Sequence, residues 1–188
     1  MLESLVSISH YSKRSENVLS ADNQQERLET AGWVTGFVDG EGCFSVSFLR
    51  NPTMSSGWQV FPEFVVTQGA KSRKALELLQ EFFGCGGVFV NRRQDNHKEN
   101  LYRYCVRSIR DLQSKIVPFF DAHPLRTAKQ NDFEKFRLVL AMMERGEHLE
   151  KAAIEKIAAI CQTMNRRKKS RFLESSETIS QTTISSKI

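Results

Sequence analysis

Trp33-Val34-Thr35-Gly36-Phe37-Val38-Asp39-Gly40-Glu41-Gly42 is the stretch of this 188-residue chain that decides the fold, because it joins a packing surface to an acidic tip. Gly32, Gly36 and Gly40 recur at every fourth position, so on a helix they form one smooth stripe. Glycine costs roughly 1 kcal/mol relative to alanine in a helix interior, so three in register require a compensating gain. Close approach of a second backbone supplies it, by a steric argument best known from membrane helices. Asp39 and Glu41 follow at the predicted helix end, where Gly40 and Gly42 are expected to let the backbone turn. Two such helices side by side would bring two acidic tips together, an arrangement suited to binding a divalent metal and cutting a phosphodiester.

Outward from this stretch, residues 26–40 read as a helix and 43–50 as a half-buried strand, with Phe44, Val46 and Phe48 alternating with Ser45, Ser47 and Leu49. Asn51 to Gly57 has turn chemistry, and Trp58 to Gln68 returns as a second strand in which Pro62 suggests an edge or a bulge. Ser72 to Phe83 is predicted helical, with Ala75, Leu76, Leu79, Phe82 and Phe83 on one side and Gly84, Gly86 and Gly87 closing it. Val88–Arg93 and Leu101–Ser108 form a second predicted hairpin around the polar loop 94–100. Helices follow at about 110–120, 128–145 and 149–164, the last two separated by Gly146. The order is α-β-β-α-β-β-α, an α+β domain over residues 26–165. A polar arm (1–25) precedes it, and a basic, then Ser/Thr-rich tail (166–188) expected to be disordered follows.

Bulk properties agree with one domain and a polyanionic partner. The chain has 27 Lys+Arg against 22 Asp+Glu, a net charge of +5, and a pI near 9.1. Cys43, Cys85, Cys105 and Cys161 are far apart with no CxxC pair, so they read as reduced thiols and a zinc site is not expected. No apolar run is long enough to span a bilayer, and the N-terminus lacks a secretory pattern, although Lys13 and Arg14 in a Ser-rich lead leave a transit peptide open. The expectation is an intracellular protein, in the compartment of the genome that hosts it.

Val34–Gly42 resembles the LAGLIDADG motif of homing endonucleases, with Val-Thr in place of the leading Leu-Ala and Glu41 as the final acid. The element order is also that of the family fold, in which a curved antiparallel four-stranded sheet forms a saddle over the DNA major groove. The resemblance covers roughly residues 26–165. One copy of the motif supplies half an active site, so it implies a homodimer with its two-fold axis between the motif helices. Gly32, Trp33, Gly36, Phe37, Asp39 and Gly40 would then form the dimer interface, and the target would be a pseudo-palindromic double-stranded DNA.

The resemblance also implies roles. Glu41 matches the acid that binds the catalytic metal ion, with the Gly40 carbonyl beside it and Asp39 in a structural place; the oxygen donors suit Mg²⁺. Gln68 ends a Val-Thr-Gln sequence whose amide helps order metal and water in the family. A basic group that stabilises the phosphate or orders the water falls on Lys129 by register from Asp132-Phe133, or on Arg126 by counting from Leu125. Arg73 is a further candidate, although the family arginine aligns one residue away, at Ser72. For each of these an ordinary solvated side chain is the plain alternative.

Strand alternation selects the face expected to meet DNA: Ser45, Ser47, Leu49 and Asn51, then Gln59, Glu63 and Val65, then Arg103, Cys105 and Arg107. Arginines on a two-stranded ribbon can donate bidentately to guanine, and Arg92 and Arg93 at a hairpin end could reach bases or phosphates. The cluster Arg166, Arg167, Lys168, Lys169 reads as a phosphate contact outside the sheet. Two rival functions share the fold: an intron-encoded maturase, which would bind intron RNA, and a non-catalytic DNA-binding regulator. Glu41, Gln68 and Lys129 together favour cleavage, whereas a regulator would be expected to carry a second DNA-binding domain. An intein setting is disfavoured, since no splice-junction chemistry is visible.

Overall fold

The computed structural model describes residues 23–91 and 100–165. Helix α1 (residues 23–41) runs directly into β1 (Gly42–Arg50), with no loop between them. Gly42 makes this handover possible: a Cβ there would lie 2.6 Å from Val38 Cγ1 and 2.7 Å from the Val38 carbonyl oxygen. The turn expected at Gly40 does not occur. Gly40 has no left-handed φ, because the helix continues through Glu41 and the bend falls at the close approach of Gly42 to Val38.

The remaining elements follow the predicted order. They are β2 (Trp58–Gly69), α2 (Arg73–Phe83), β3 (Gly87–Asn91), β4 (Leu101–Val106), α3 (Ile109–Asp111), α4 (Val117–Ala122), α5 (Lys129–Glu144) and α6 (Lys151–Gln162). The four strands form one antiparallel sheet in the order β1-β2-β4-β3. Pairing of β2 with β4 stops at Phe64, so the half of β2 that holds Pro62 bonds only to β1 and is an edge on its other side.

The single helix expected at 110–120 is composite. A π-helical turn, Leu112–Ile116, separates α3 from α4. Pro118 in the first turn of α4 has no N–H for the carbonyl four residues earlier, and the ladder widens in the turn before it. Strand β4 ends two residues sooner than predicted because Ser108 caps α3, its Oγ accepting from the Asp111 amide at 3.2 Å. Likewise α6 begins at Lys151, after a 3-10 turn at Glu147–Leu149 that the alternation of apolar residues does not distinguish from helix.

One face of the sheet is core. Phe44 is its centre, stacked on Phe64 (ring centroids 5.1 Å) and set against Phe120 (5.5 Å), Phe133 (5.3 Å) and Phe136 (5.4 Å). Such pairs contribute about 0.5–1.5 kcal/mol each beyond their buried area. They tie β1 and β2 to α4 and α5. A second cluster joins Phe48, Trp58 and Val60 to Val139, Met142 and Met143 of α5 and to Ile154 and Ile157 of α6. All the helices pack on this side, which leaves the odd-numbered residues of β1 and β2 on an open face. Among the described residues, no helix is long and apolar enough to cross a membrane.

The handover at Gly42 is testable. Gly42→Ala must displace backbone and should cost about 1–3 kcal/mol of folding stability in a denaturant titration. Gly36→Ala, whose Cβ meets nothing within 4 Å among the described residues, should cost none at the level of the single chain. An unchanged midpoint for Gly42→Ala would contradict the close-packing account.

Candidate functional site

The tip of α1 is built from two distant parts of the chain. Asp39 turns its carboxylate to the chain's own loop before α5: it accepts from the Arg126 amide at 2.8 Å, the Thr127 amide at 3.2 Å and the Thr127 hydroxyl at 2.6 Å. Burial raises its pKa, but these bonds and the nearby Lys129 charge outweigh that effect and hold it below the ordinary carboxylate value. Asp39, expected in the dimer interface, therefore serves an intrachain clasp.

The clasp brings Lys129 to the motif. Its ammonium donates to the Gly40 carbonyl at 3.3 Å and, closer, to that of Gly42. Those two carbonyls flank Glu41, which is exposed and has no hydrogen-bond or ion-pair partner among the described residues. Of the two alternatives for the basic group, Lys129 is the one whose side chain reaches the tip. Arg126 contributes its backbone N–H to Asp39, and its side chain borders a groove beside the glycine stripe.

Gln68 is half-buried at the end of β2, paired in register with Tyr102. Arg73 pairs with Glu77 at 2.8 Å, one helical turn on, and lies 5.2 Å over the Tyr102 ring, so it shares the sheet end with Gln68.

The glycine stripe is open. Gly32, Gly36 and Gly40 are exposed, and a Cβ at any of them would meet nothing within 4 Å. Among the described residues, none packs on the stripe. Beside it lies an open groove of about 510 Å³ walled by His123, Pro124 and Arg126. On the opposite flank Trp33, 41% exposed, stacks on Phe37 at 5.2 Å.

Register confirms the face assignment made from alternation. Ser45 pairs with Glu63, Leu49 with Gln59, Val65 with Cys105 and Thr67 with Arg103, so these side chains share the open face. Asn51 and Gln59 join their amides at the hairpin end, at 3.3 Å. Arg107 lies just past β4, ion-paired with Glu63 and near the rings of Phe61 (5.8 Å) and Phe89 (6.0 Å). Cys105 needs correcting: it is on this face but only 3% exposed, set between Glu63, Arg103 and Arg107, so a ligand on the sheet would meet its neighbours first. Burial, with Glu63 nearby, pushes its thiol pKa up. Phe61, Thr67 and Phe89 share this face and the same alternation pointed to them, although they are not among the residues expected above; Thr127, just before the helix start expected at about 128, carried the N-cap signal of a threonine in that place. Arg92 and Arg93, and Arg166, Arg167, Lys168 and Lys169, lie outside the described residues.

The tip fits a hard cation in one respect. The Glu41 carboxylate and the Gly40 carbonyl are oxygen donors, and a carbonyl oxygen has a second lone pair beyond the one Lys129 uses. Yet among the described residues no three His, Cys, Asp or Glu side chains gather to hold a metal.

Comparisons with known proteins agree. A family model described as LAGLIDADG endonuclease matches residues 34–140. The uncharacterized 50.9 kDa protein in ND4 intron 1 of Podospora anserina is 35% identical over 122 residues, 63% of this chain and 25% of the relative. The chain thus spans about a quarter of that relative's length. The solved structure of the homing endonuclease I-TnaI is 45% identical, with a TM-score of 0.70, over 79% of this chain and 97% of that one. I-SmaMI bound to uncleaved DNA target in the presence of calcium ions is 33% identical, with a TM-score of 0.68, over 76% of this chain and 47% of that one. With the motif, the element order and the sheet topology in agreement, this chain belongs to the LAGLIDADG endonuclease family.

Proposed function

We propose that the chain is a site-specific homing endonuclease that acts as a homodimer, making a metal-dependent double-strand break in a long pseudo-palindromic DNA target. The observation that carries this reading is the tip: Glu41, without a partner among the described residues, between two carbonyls held by Lys129, at the end of a helix whose glycine stripe none of those residues covers.

The open sheet face binds and reads DNA. Arg103 and Arg107 present guanidinium groups there beside Ser45, Ser47 and Gln59, a mixture suited to direct and water-mediated contacts with base edges. Leu49, 44% exposed, is suited to a thymine methyl. The basic run 166–169 adds sequence-independent phosphate affinity. Two chains meeting along Gly32, Gly36 and Gly40 set two Glu41 carboxylates side by side at the centre of the target, each with its Gly40 carbonyl, as ligands for a divalent cation such as Mg²⁺. A cation held there would supply charge neutralisation at the scissile phosphate and a more acidic water. Lys129 places a positive charge next to that centre, where it stabilises developing phosphate charge. Gln68 is assigned to ordering water. Arg126 is assigned to the clasp and Arg73 to the α2 surface. Intron mobility is the biological setting this activity fits, in the compartment of the host genome.

Two outcomes test the reading. Glu41→Gln should keep fold and DNA binding but lower cleavage of an uninterrupted junction target by on the order of 100-fold or more, since an amide is a poor ligand for a hard cation. Full-rate cutting by that variant would remove the site assignment. Gly36→Leu should abolish the dimer in a sedimentation measurement while the isolated chain keeps its helical signal; an unchanged dimer mass would contradict the stripe as interface.

A further inference from the structure

We propose that Thr127 is a positioning residue for cleavage, the middle link of a relay from Asp39 through Thr127 to Lys129; this rests on the endonuclease reading above. The Thr127 hydroxyl faces both ways. It donates to Asp39 Oδ1 at 2.6 Å and accepts from the Lys129 amide at 3.2 Å. The Thr127 carbonyl meanwhile accepts from the Gln130 amide at 3.1 Å. These are the bonds of a helix cap: a side-chain oxygen on the N–H two residues on, and a carbonyl that starts the ladder. Thr127 therefore caps the first turn of α5, while Asp39 fixes the cap itself to the motif helix.

Lys129 is the residue whose amide is capped, and its side chain spans to the Gly40 and Gly42 carbonyls. A lysine carries four rotatable bonds, so its ammonium is placed only as well as its backbone is fixed. The relay fixes that backbone against the same helix that carries Glu41. Two groups 88 residues apart in sequence thereby share one rigid frame. Misplacement of about 1 Å at a reacting centre is enough to cost on the order of 100-fold in rate, so loss of the hydroxyl should be felt in the chemical step and not in DNA affinity.

The test compares Thr127→Val, Thr127→Ser and Lys129→Ala in the full-length protein, using single-turnover cleavage and binding of the junction DNA, with binding measured in calcium. Thr127→Val should slow cleavage about 10- to 100-fold with affinity within about threefold, and Thr127→Ser should recover most of the rate. On the Lys129→Ala background the valine should add little, because Thr127 acts through Lys129. Wild-type cleavage by Thr127→Val, no rescue by serine, or a full additional loss on the Lys129→Ala background would each overturn the proposal. A wild type that cuts nothing would instead sink the endonuclease reading. Hydrogen exchange at the Lys129 amide then decides the relay: about tenfold faster exchange in Thr127→Val than in Thr127→Ser and wild type supports it, and equal exchange in all three overturns it.

Discussion

The bond set at Asp39 is what the rest of the site depends on. α1 and the start of α5 lie far apart in sequence, and nothing in local propensity draws them together. Three donors from Arg126 and Thr127 converge on one carboxylate, and the result is a corner with α1 on one side and α5 on the other. Hydrogen bonds to a charged acceptor are stronger than neutral ones, which makes Asp39 a better anchor than an amide would be. The aromatic core beneath, centred on Phe44, holds α5 to the sheet from below. Clasp above and core below leave Glu41 outside both, exposed and without a partner among the described residues.

That division explains why adjacent acids in one short run have different jobs. Asp39 is satisfied within the chain and fixes geometry. Glu41, two residues on, makes no hydrogen bond or ion pair with the described residues. The glycine stripe follows the same logic: residues that would weaken a solitary helix are tolerated where the helix meets none of the other described residues. Both features are what the proposed dimer would use: among the described residues no three His, Cys, Asp or Glu side chains gather at the tip, and none lies within 4 Å of a Cβ placed on the stripe.

Much of this was legible in the sequence, for definite reasons. Period-two alternation in 43–50 and 58–68 fixed which residues face the core, because a one-residue slip would reverse every side chain. The core and open faces of β1 and β2 followed from it. What the sequence could not carry were the contacts made across long separations. The choice between Lys129 and Arg126 depended on which side chain reaches the tip, a matter of contacts between residues far apart in sequence. Cys105 fell on the expected face, but its burial between two arginines and Glu63 is a matter of neighbours' bulk. The π-turn before Pro118 and the early end of β4 at the Ser108 cap are likewise local hydrogen-bond choices that apolar periodicity does not encode.

The central claim is that one chain supplies half of a cutting centre. The most direct measurement mixes wild type with Glu41→Gln at constant total protein and follows double-strand cleavage of the junction DNA. If each subunit must supply its own acid, an equal mixture with random pairing cuts at about a quarter of the wild-type rate, the square of the wild-type fraction. A rate of about one half, falling linearly with the wild-type fraction, would mean that a single chain cuts alone and would contradict the account.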